Sequence, residues 1–400
     1  MRVLHIVRDL DAASGGPSQS VPSLHIALMK SGVSSRVVYE DFGQPVAELV
    51  SQAIDSNRRG SREPSFVPLQ RRSRFWNPGD LEAALEAGFG QVRWDLIHLH
   101  GLWTGLGHSG VSHARKQNIP YIISPRGMLS PWCLAQKRWK KRLGYLAYQK
   151  KDLELASLIH TTAAHETEHV RQQKLKNPIT CLPNGFFMSE LQPEANDQSA
   201  AVQRPRKKQI TFISRIHPVK GLPLLVEAWA EANLSGWKCV IAGPDSNGHL
   251  STITRLAESR GVADTIEFLP EVKGEQKASL LRDSSAVVLP SQSENFGMIV
   301  VEALAAGTPV ITTRGTPWQD LESFNCGWWI NRDVPSLVHA IANVGSLQAH
   351  CLNDMGQRGI KLVQDKYSWQ GIAEQMRSAY QWILGNGERP DCCLLQKPIE

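Results

Sequence analysis

The residues best suited to chemistry sit where apolar runs give way to glycine. In Ser293-Glu294-Asn295-Phe296-Gly297-Met298-Ile299-Val300-Val301-Glu302, Gly297 lets the chain turn into a helix whose first amides lack partners and point outward. Glu302, inside that helix, can accept two hydroxyl hydrogen bonds from a ribose, and Glu294, ahead of it, can meet a transferred group. A second stretch, Ser214-Arg215-Ile216-His217-Pro218-Val219-Lys220-Gly221, sets two cations at a strand-to-helix junction. Arg215 and Lys220 can clamp two phosphates there without a metal, because a helix start adds free N–H groups and partial positive charge to theirs.

Weaker candidates follow strands in the first half of the chain. Gly15 and Gly16 come after Val3 to Val7 and lead into a helix, which suits an anion such as a diphosphate; a plain turn explains them equally well. They do not form Gly-x-Gly-x-x-Gly, so a nicotinamide dehydrogenase loses its best support. In Asp95 to His100, strand alternation puts His98 and His100 on one face, with His100 at the carboxyl edge where it can meet a ligand. A structural histidine is the commoner occupant of such a place. Arg126, in Ser124-Pro125-Arg126-Gly127, brings a guanidinium to the same edge as a candidate contact for an acceptor or a phosphate, and is equally an ordinary surface arginine.

Two patterns point elsewhere. His165-Glu166-Thr167-Glu168-His169 fits His-Glu-x-x-His and sets both histidines on one helical face, but no third ligand follows at metzincin spacing, so a zinc hydrolase is a remote alternative. Asp9-Leu10-Asp11 has the form of a metal-binding Asp-x-Asp and reads as a loop.

The elements that must position these residues alternate between short Val- and Ile-rich runs and longer helical stretches, the pattern of parallel sheets covered by helices. Strands are expected near Val3 to Val7, Arg36 to Tyr39, Leu96 to Leu99, Tyr121 to Ser124, Leu158 to Thr161 and Ile179 to Leu182, then Ile210 to Ser214, Lys238 to Ala242, Thr265 to Leu269, Ala286 to Leu289 and Val310 to Thr312. Between the two sets the chain loses apolar periodicity. The expected organisation is an α/β domain over 1–190, a linker over 191–209, a second α/β domain over 210–367, and a closing helix with a tail over 368–400. Gln52 to Asn77, rich in Arg and Ser, reads as a solvated loop.

Composition narrows the classes. The chain has 400 residues, 42% hydrophobic and 20% charged, with 31 Gly and 23 Pro, which excludes collagenous and wholly disordered chains. The formal charge of +6 is too small for its length to announce nucleic-acid binding, and no nucleic-acid partner is expected. All of the excess lies in the first half, with 24 Lys and Arg against 18 Asp and Glu, where the second half is balanced at 20 each. Seven scattered cysteines without a Cys-x-x-Cys pair fit a reducing cytoplasm, and no apolar run is long enough for a signal core or a membrane span.

On these residues the sequence resembles the retaining glycosyltransferases of family 4, over nearly the whole chain and most specifically between Ile210 and Thr313. The family's Glu-x(7)-Glu pattern falls on Glu294 and Glu302, with Phe296 and Gly297 between them. Its diphosphate-binding Arg and Lys fall on Arg215 and Lys220, with Ser214 where glycine is usual. Its first-domain histidine falls on His100 and its hinge on Pro183-Asn184-Gly185. The resemblance implies the GT-B fold, two Rossmann-like parallel-sheet domains facing across a cleft. It also implies transfer of a sugar from a nucleotide diphosphate sugar to an acceptor hydroxyl with retention, in polysaccharide, lipopolysaccharide or glycolipid biosynthesis. Glu294 and His100 would be catalytic; Gly15, Gly16, Arg215 and Lys220 would hold the diphosphate; Asn295, Phe296 and Gly297 would hold the donor sugar; Glu302 would hold the ribose. No cofactor or metal is implied beyond the donor itself. A nucleotide-sugar epimerase or another GT-B enzyme, such as a phosphorylase, is the alternative.

One segment lies outside this assignment. Gly127 to Lys151 contains Lys137, Arg138, Lys140, Lys141, Arg142, Lys150 and Lys151 and no acid, interleaved with Trp132, Trp139, Leu143, Leu146 and Tyr148. The helical spacing of Trp139, Leu143 and Leu146 fits two readings equally: a basic amphipathic helix, residues 137–151, docking on an anionic membrane surface or a lipid-linked acceptor, and a core-facing helix with a solvated basic side. The first reading makes the chain peripheral on the inner face of the cytoplasmic membrane.

Overall fold

The computed structural model describes residues 1–11, 16–46, 50, 65–70, 78–188, 206–246 and 248–395. The chain forms two compact units: Met1–Gly185 with Trp369–Glu400, and Phe186–Ser368. The first boundary thus falls at Gly185, ahead of the expected 190. The last residues of the expected linker belong to a strand that begins at Lys207, and residues 189–205 lie outside the described residues.

The first unit is built on strands β1 (Arg2–Val7), β2 (Ser34–Asp41), β3 (Phe66–Gln70), β4 (Leu96–His100), β5 (Tyr121–Ser124), β6 (Leu158–Thr161), β7 (Ile179–Cys181) and β14 (Cys393–Leu394), in the order β14-β7-β6-β5-β4-β1-β2-β3. All pairings are parallel except that of β14 with β7. β4, β5 and β6 are buried along their whole length, as strands covered on both faces must be, which is why they read as continuous apolar runs. β3 corrects the expected loop over 52–77. It carries Pro68, which donates nothing to a ladder, and accordingly lies at the sheet edge.

The closing helix spans Trp369–Ile383 and buries Trp369, Ile372, Ala373, Met376, Ala379 and Tyr380 along one face. It packs on helix Gly16–Lys30 of the first unit, and Arg377 donates to the Ser31 carbonyl at 2.9 Å.

The second unit contains β8 (Lys207–Ile213), β9 (Lys238–Ala242), β10 (Ile266–Leu269), β11 (Ser284–Leu289), β12 (Val310–Thr313) and β13 (Gly327–Ile330), all parallel, in the order β10-β9-β8-β11-β12-β13. Its core joins Ile210, Phe212, Ile241, Val287 and Val288 of the strands to Leu225, Val300, Leu304 and Ile341 of the covering helices. In each unit the winding reverses once: between β1 and β4 in the first, between β8 and β11 in the second. At such a reversal the loops leaving neighbouring strands part to opposite faces and open a crevice at the carboxyl ends, where ligands of doubly wound sheets bind.

Candidate active site

In the second unit the reversal point is lined by the residues singled out by the sequence. β8 ends at Ile213, and His217 caps the short turn Pro218–Lys220 by accepting the Val219 N–H at 3.2 Å. Gly221 follows with φ 74° and opens helix Leu222–Ala232; any Cβ there would collide with the Pro290 carbonyl oxygen after β11. This close approach lets Gln292 donate to the Val219 carbonyl at 2.8 Å, stitching the two loops together.

The result is a contact that joins the two motifs. The Lys220 ammonium pairs with Glu294 Oε1, both side chains 12% exposed, and the Ser291 hydroxyl donates to the same oxygen at 2.8 Å. Glu294 is fixed further by its own N–H, which donates to the Gly315 carbonyl at 3.0 Å. Arg215 is exposed and, among the described residues, makes no hydrogen bond or ion pair, so its charge is available to a ligand. Burial first, then the neighbouring Arg215, His249 and Lys220, lower the pKa of His217.

Gly297, with φ 83°, starts helix Met298–Ala305. The Phe296 ring is buried against Trp318 and Tyr367, and its carbonyl accepts the Trp318 indole N–H at 2.5 Å. The ring and carbonyl of Phe296 thus shape the turn from below. Asn295, beside it, is part-buried. Glu302 is 8% exposed, and Lys277 of helix Gly274–Asp283 stands 2.5 Å from its Oε2. Lys277 carried no signal in the sequence, since only the packing of two helices brings it to Glu302.

In the first unit, Gly15 lies outside the described residues, and Gly16 opens helix Gly16–Lys30 after β1 with no atom within 4 Å of where its Cβ would be. His100, at the end of β4 across the reversal from β1, offers no free nitrogen. Arg126 Nη2 donates to its Nδ1 at 3.1 Å, and its Nε2 stands 2.9 Å from His5 Nδ1. Because a guanidinium only donates, the proton of His100 must sit on Nε2, directed at His5. Arg126 is likewise turned inward: its Nη1 donates to Asn184 Oδ1 at 2.8 Å. It thereby ties His100 to the Pro183-Asn184-Gly185 segment. Burial pushes the Arg126 pKa down to about 10, opposed by Glu166.

Beside them runs a chain of hydrogen bonds whose directions follow from one carbonyl. His160 Nε2 must donate to the Leu182 carbonyl at 2.9 Å, so its Nδ1 accepts from Ser124 Oγ at 2.7 Å. Ser124 Oγ then accepts from His98 Nε2 at 2.7 Å, and His98 Nδ1 accepts the Tyr380 hydroxyl of the closing helix at 2.7 Å. All these imidazoles are neutral, since burial first and neighbouring positive groups second lower their pKa. The nitrogens of His5, His98 and His100 lie within 4.8 Å of one another, the spacing of a metal-ligand set. Each Nδ1 lone pair, however, already receives a proton donor, and Arg126 stands beside the cluster.

The His-Glu-x-x-His pattern finds a structural use. Glu166, 1% exposed, accepts the Gly127 N–H at 2.5 Å through Oε1 and the Thr162 N–H and hydroxyl at 2.7 and 2.9 Å through Oε2. It thereby fixes the loop that carries Arg126.

The chain matches the family described as "Glycosyl transferase 4-like domain" over residues 15–185 and that described as "Glycosyl transferases group 1" over 194–362. The chain belongs to the group 1 glycosyltransferases. Within that family it is similar to D-inositol 3-phosphate glycosyltransferase of Segniliparus rotundus, 30% identical over 236 residues, 56% of this chain and 51% of that protein. It is 40% identical over 141 residues to the protein of that name from Mycolicibacterium smegmatis, 34% of this chain and 32% of the relative. The matches span about half or less of these curated relatives. Among solved structures, sucrose-phosphate synthase from Thermosynechococcus elongatus superposes with TM-score 0.71 at 19% identity, over 96% of this chain and 99% of that one. Anabaena HepE in complex with UDP and glucose gives TM-score 0.71 at 15% identity, over 96% and 100%. The fold of this group 1 glycosyltransferase is therefore GT-B.

Proposed function

We propose that the chain transfers a sugar from a nucleotide diphosphate sugar to an acceptor hydroxyl with retention of anomeric configuration. The observation that carries the reading is the Lys220–Glu294 pair at the reversal between β8 and β11. Departure of the diphosphate builds negative charge, which Lys220, Arg215 and the first-turn amides of helix Met298–Ala305 are disposed to stabilise without reorganising. Before the donor arrives, Glu294 serves as counter-ion to Lys220; afterwards it is free to orient the donor sugar. Glu302, steadied by Lys277, holds the ribose. The two cations supply the charge that a divalent ion provides elsewhere, so no metal is required. His100 acts from behind, through Arg126 and His5. HepE, the structural likeness bound to UDP and glucose, supports a nucleotide sugar as donor.

The product belongs to polysaccharide, lipopolysaccharide or glycolipid biosynthesis, with a glycan or lipid-linked acceptor. No helix among the described residues is long and apolar enough to cross a membrane; we place the chain peripherally on an anionic membrane surface, through residues 137–151. The test is turnover of nucleotide diphosphate sugars with the product anomer read by NMR. Retained configuration, unchanged by a chelator, supports the reading. An inverted product or dependence on a divalent ion contradicts it.

A further inference from the structure

Glu302 is the one charged residue of helix Met298–Ala305, whose other members are Met, Ile, Val, Ala and Leu. A carboxylate at 8% exposure on so apolar a helix needs a partner, because an unpaired charge is costly to desolvate. The partner comes from helix Gly274–Asp283, which buries Ala278 and Leu281. Lys277 stands one turn before Leu281 on the same side of that helix, and this brings its ammonium to Glu302.

The contact is one-sided. Glu302 Oε2 has no surface open to solvent and faces the Lys277 ammonium at 2.5 Å. Oε1 makes no hydrogen bond or ion pair among the described residues. A ligand therefore meets Glu302 at Oε1. The Lys277 side chain is 27% exposed, so it keeps open surface beside that oxygen.

This arrangement bears on the ribose. Its two hydroxyls can both donate to a carboxylate in the two-pronged manner only when both oxygens are open, and here one is closed. A hydroxyl oxygen also accepts, and an ammonium carries three donors, of which Glu302 uses one. Lys277 thus has donors to spare next to the one open oxygen.

We propose that Lys277 and Glu302 read the ribose of the donor as a pair: one hydroxyl donates to Glu302 Oε1, and the other accepts from the Lys277 ammonium. The inference rests on the reading that Glu302 holds the ribose and refines it, since Lys277 becomes a ligand contact as well as a counter-ion. Each hydroxyl then depends on a different side chain, and removing Lys277 should erase the recognition of one hydroxyl alone.

The test titrates the full chain with ADP, CDP, GDP and UDP, then with the 2′-deoxy and 3′-deoxy forms of the tightest binder, each of which lacks one hydroxyl. In the parent both deoxy forms should bind about tenfold more weakly than the ribonucleotide, the loss of one hydrogen bond to a charged group. Lys277→Met should bind the ribonucleotide about tenfold more weakly and keep only one of the two deoxy penalties, the other falling to about twofold or less. Lys277→Arg, which keeps the charge and the donors, should retain both. Lys277→Gln, whose amide still donates to a carboxylate, takes the place of the methionine variant if that does not fold, and should lose the same penalty. A purely structural Lys277 would lower the melting temperature of these variants and leave both ratios at their parental values. Both penalties surviving the loss of the ammonium would overturn the pairing and leave the donor reading standing; a parent that binds none of the four nucleotides would overturn both.

Discussion

Lys220→Met removes the ammonium while keeping most of the stem, and its effects can be worked from the Lys220–Glu294 contact. In the free protein the substitution strands Glu294 with only the Ser291 hydroxyl as donor from a side chain. Losing a charge-assisted bond at a nearly buried carboxylate costs about 1–3 kcal/mol of stability. In the reaction, one preorganised donor to the leaving group is gone, which lowers turnover by about 10²- to 10³-fold. Nucleoside diphosphate binding weakens by about tenfold or more. Glu294→Gln discriminates, because the same geometry gives it the opposite sign for binding. With the counter-ion neutralised, Lys220 is released to the diphosphate, so affinity rises by about threefold to tenfold while turnover falls. Calorimetric titration of both variants, with turnover measured in parallel, reads the two signs. A fully active Lys220→Met that binds the nucleotide as the parent does would refute the diphosphate clamp.

Other outcomes follow from the buried network and the decoy motif. Tyr380→Phe leaves His98 Nδ1 without its donor and should cost about 1–2 kcal/mol, read as a lower denaturant midpoint; an unchanged midpoint contradicts the assigned bond directions. His25 and His160 have pKa values lowered to about 3 by burial. Below about 6.5 the unfolded chain takes up protons that the folded chain refuses, so stability should fall as pH drops from 6.5 towards 3. Each residue contributes up to about 1.4 kcal/mol per pH unit; a melting temperature flat from pH 7 to 5 contradicts this. Glu166→Gln should destabilise by roughly 1–3 kcal/mol through the loss of charge at three donors. The purified parent should carry no stoichiometric zinc by elemental analysis; zinc at one equivalent would revive the hydrolase reading.

What the sequence made legible follows the range over which its signals act. β4, β5 and β6 are buried on both faces and therefore announce themselves as apolar runs, and the closing helix shows its buried face at three- and four-residue spacing. β3 and β13 escaped because edge strands need only half the apolar pattern: one carries Pro68 and the other is Gly327-Trp328-Trp329-Ile330, partly exposed throughout. Glu294 and Lys220 were legible because each stands in a local strand-to-helix junction. Their pairing was not, since it depends on Gly221 meeting Pro290 across neighbouring loops. Lys277, His5 and Tyr380 were silent for the same reason; Tyr380 meets His98 across 282 positions of sequence. The periodicity of Trp139, Leu143 and Leu146 supported burial and exposure alike, and only the packing, which leaves all three exposed, chose between them.

The most direct test is a thermal-shift panel of nucleoside diphosphates on the intact protein. A matching nucleotide at about 100 times its dissociation constant should stabilise the unit that binds it by about 2.7 kcal/mol and raise its melting temperature by roughly 5 to 10 °C. The shift should shrink in Lys220→Met. Melting curves unmoved by every nucleoside diphosphate would contradict the claim that the β8–β11 crevice grips a sugar donor's leaving group.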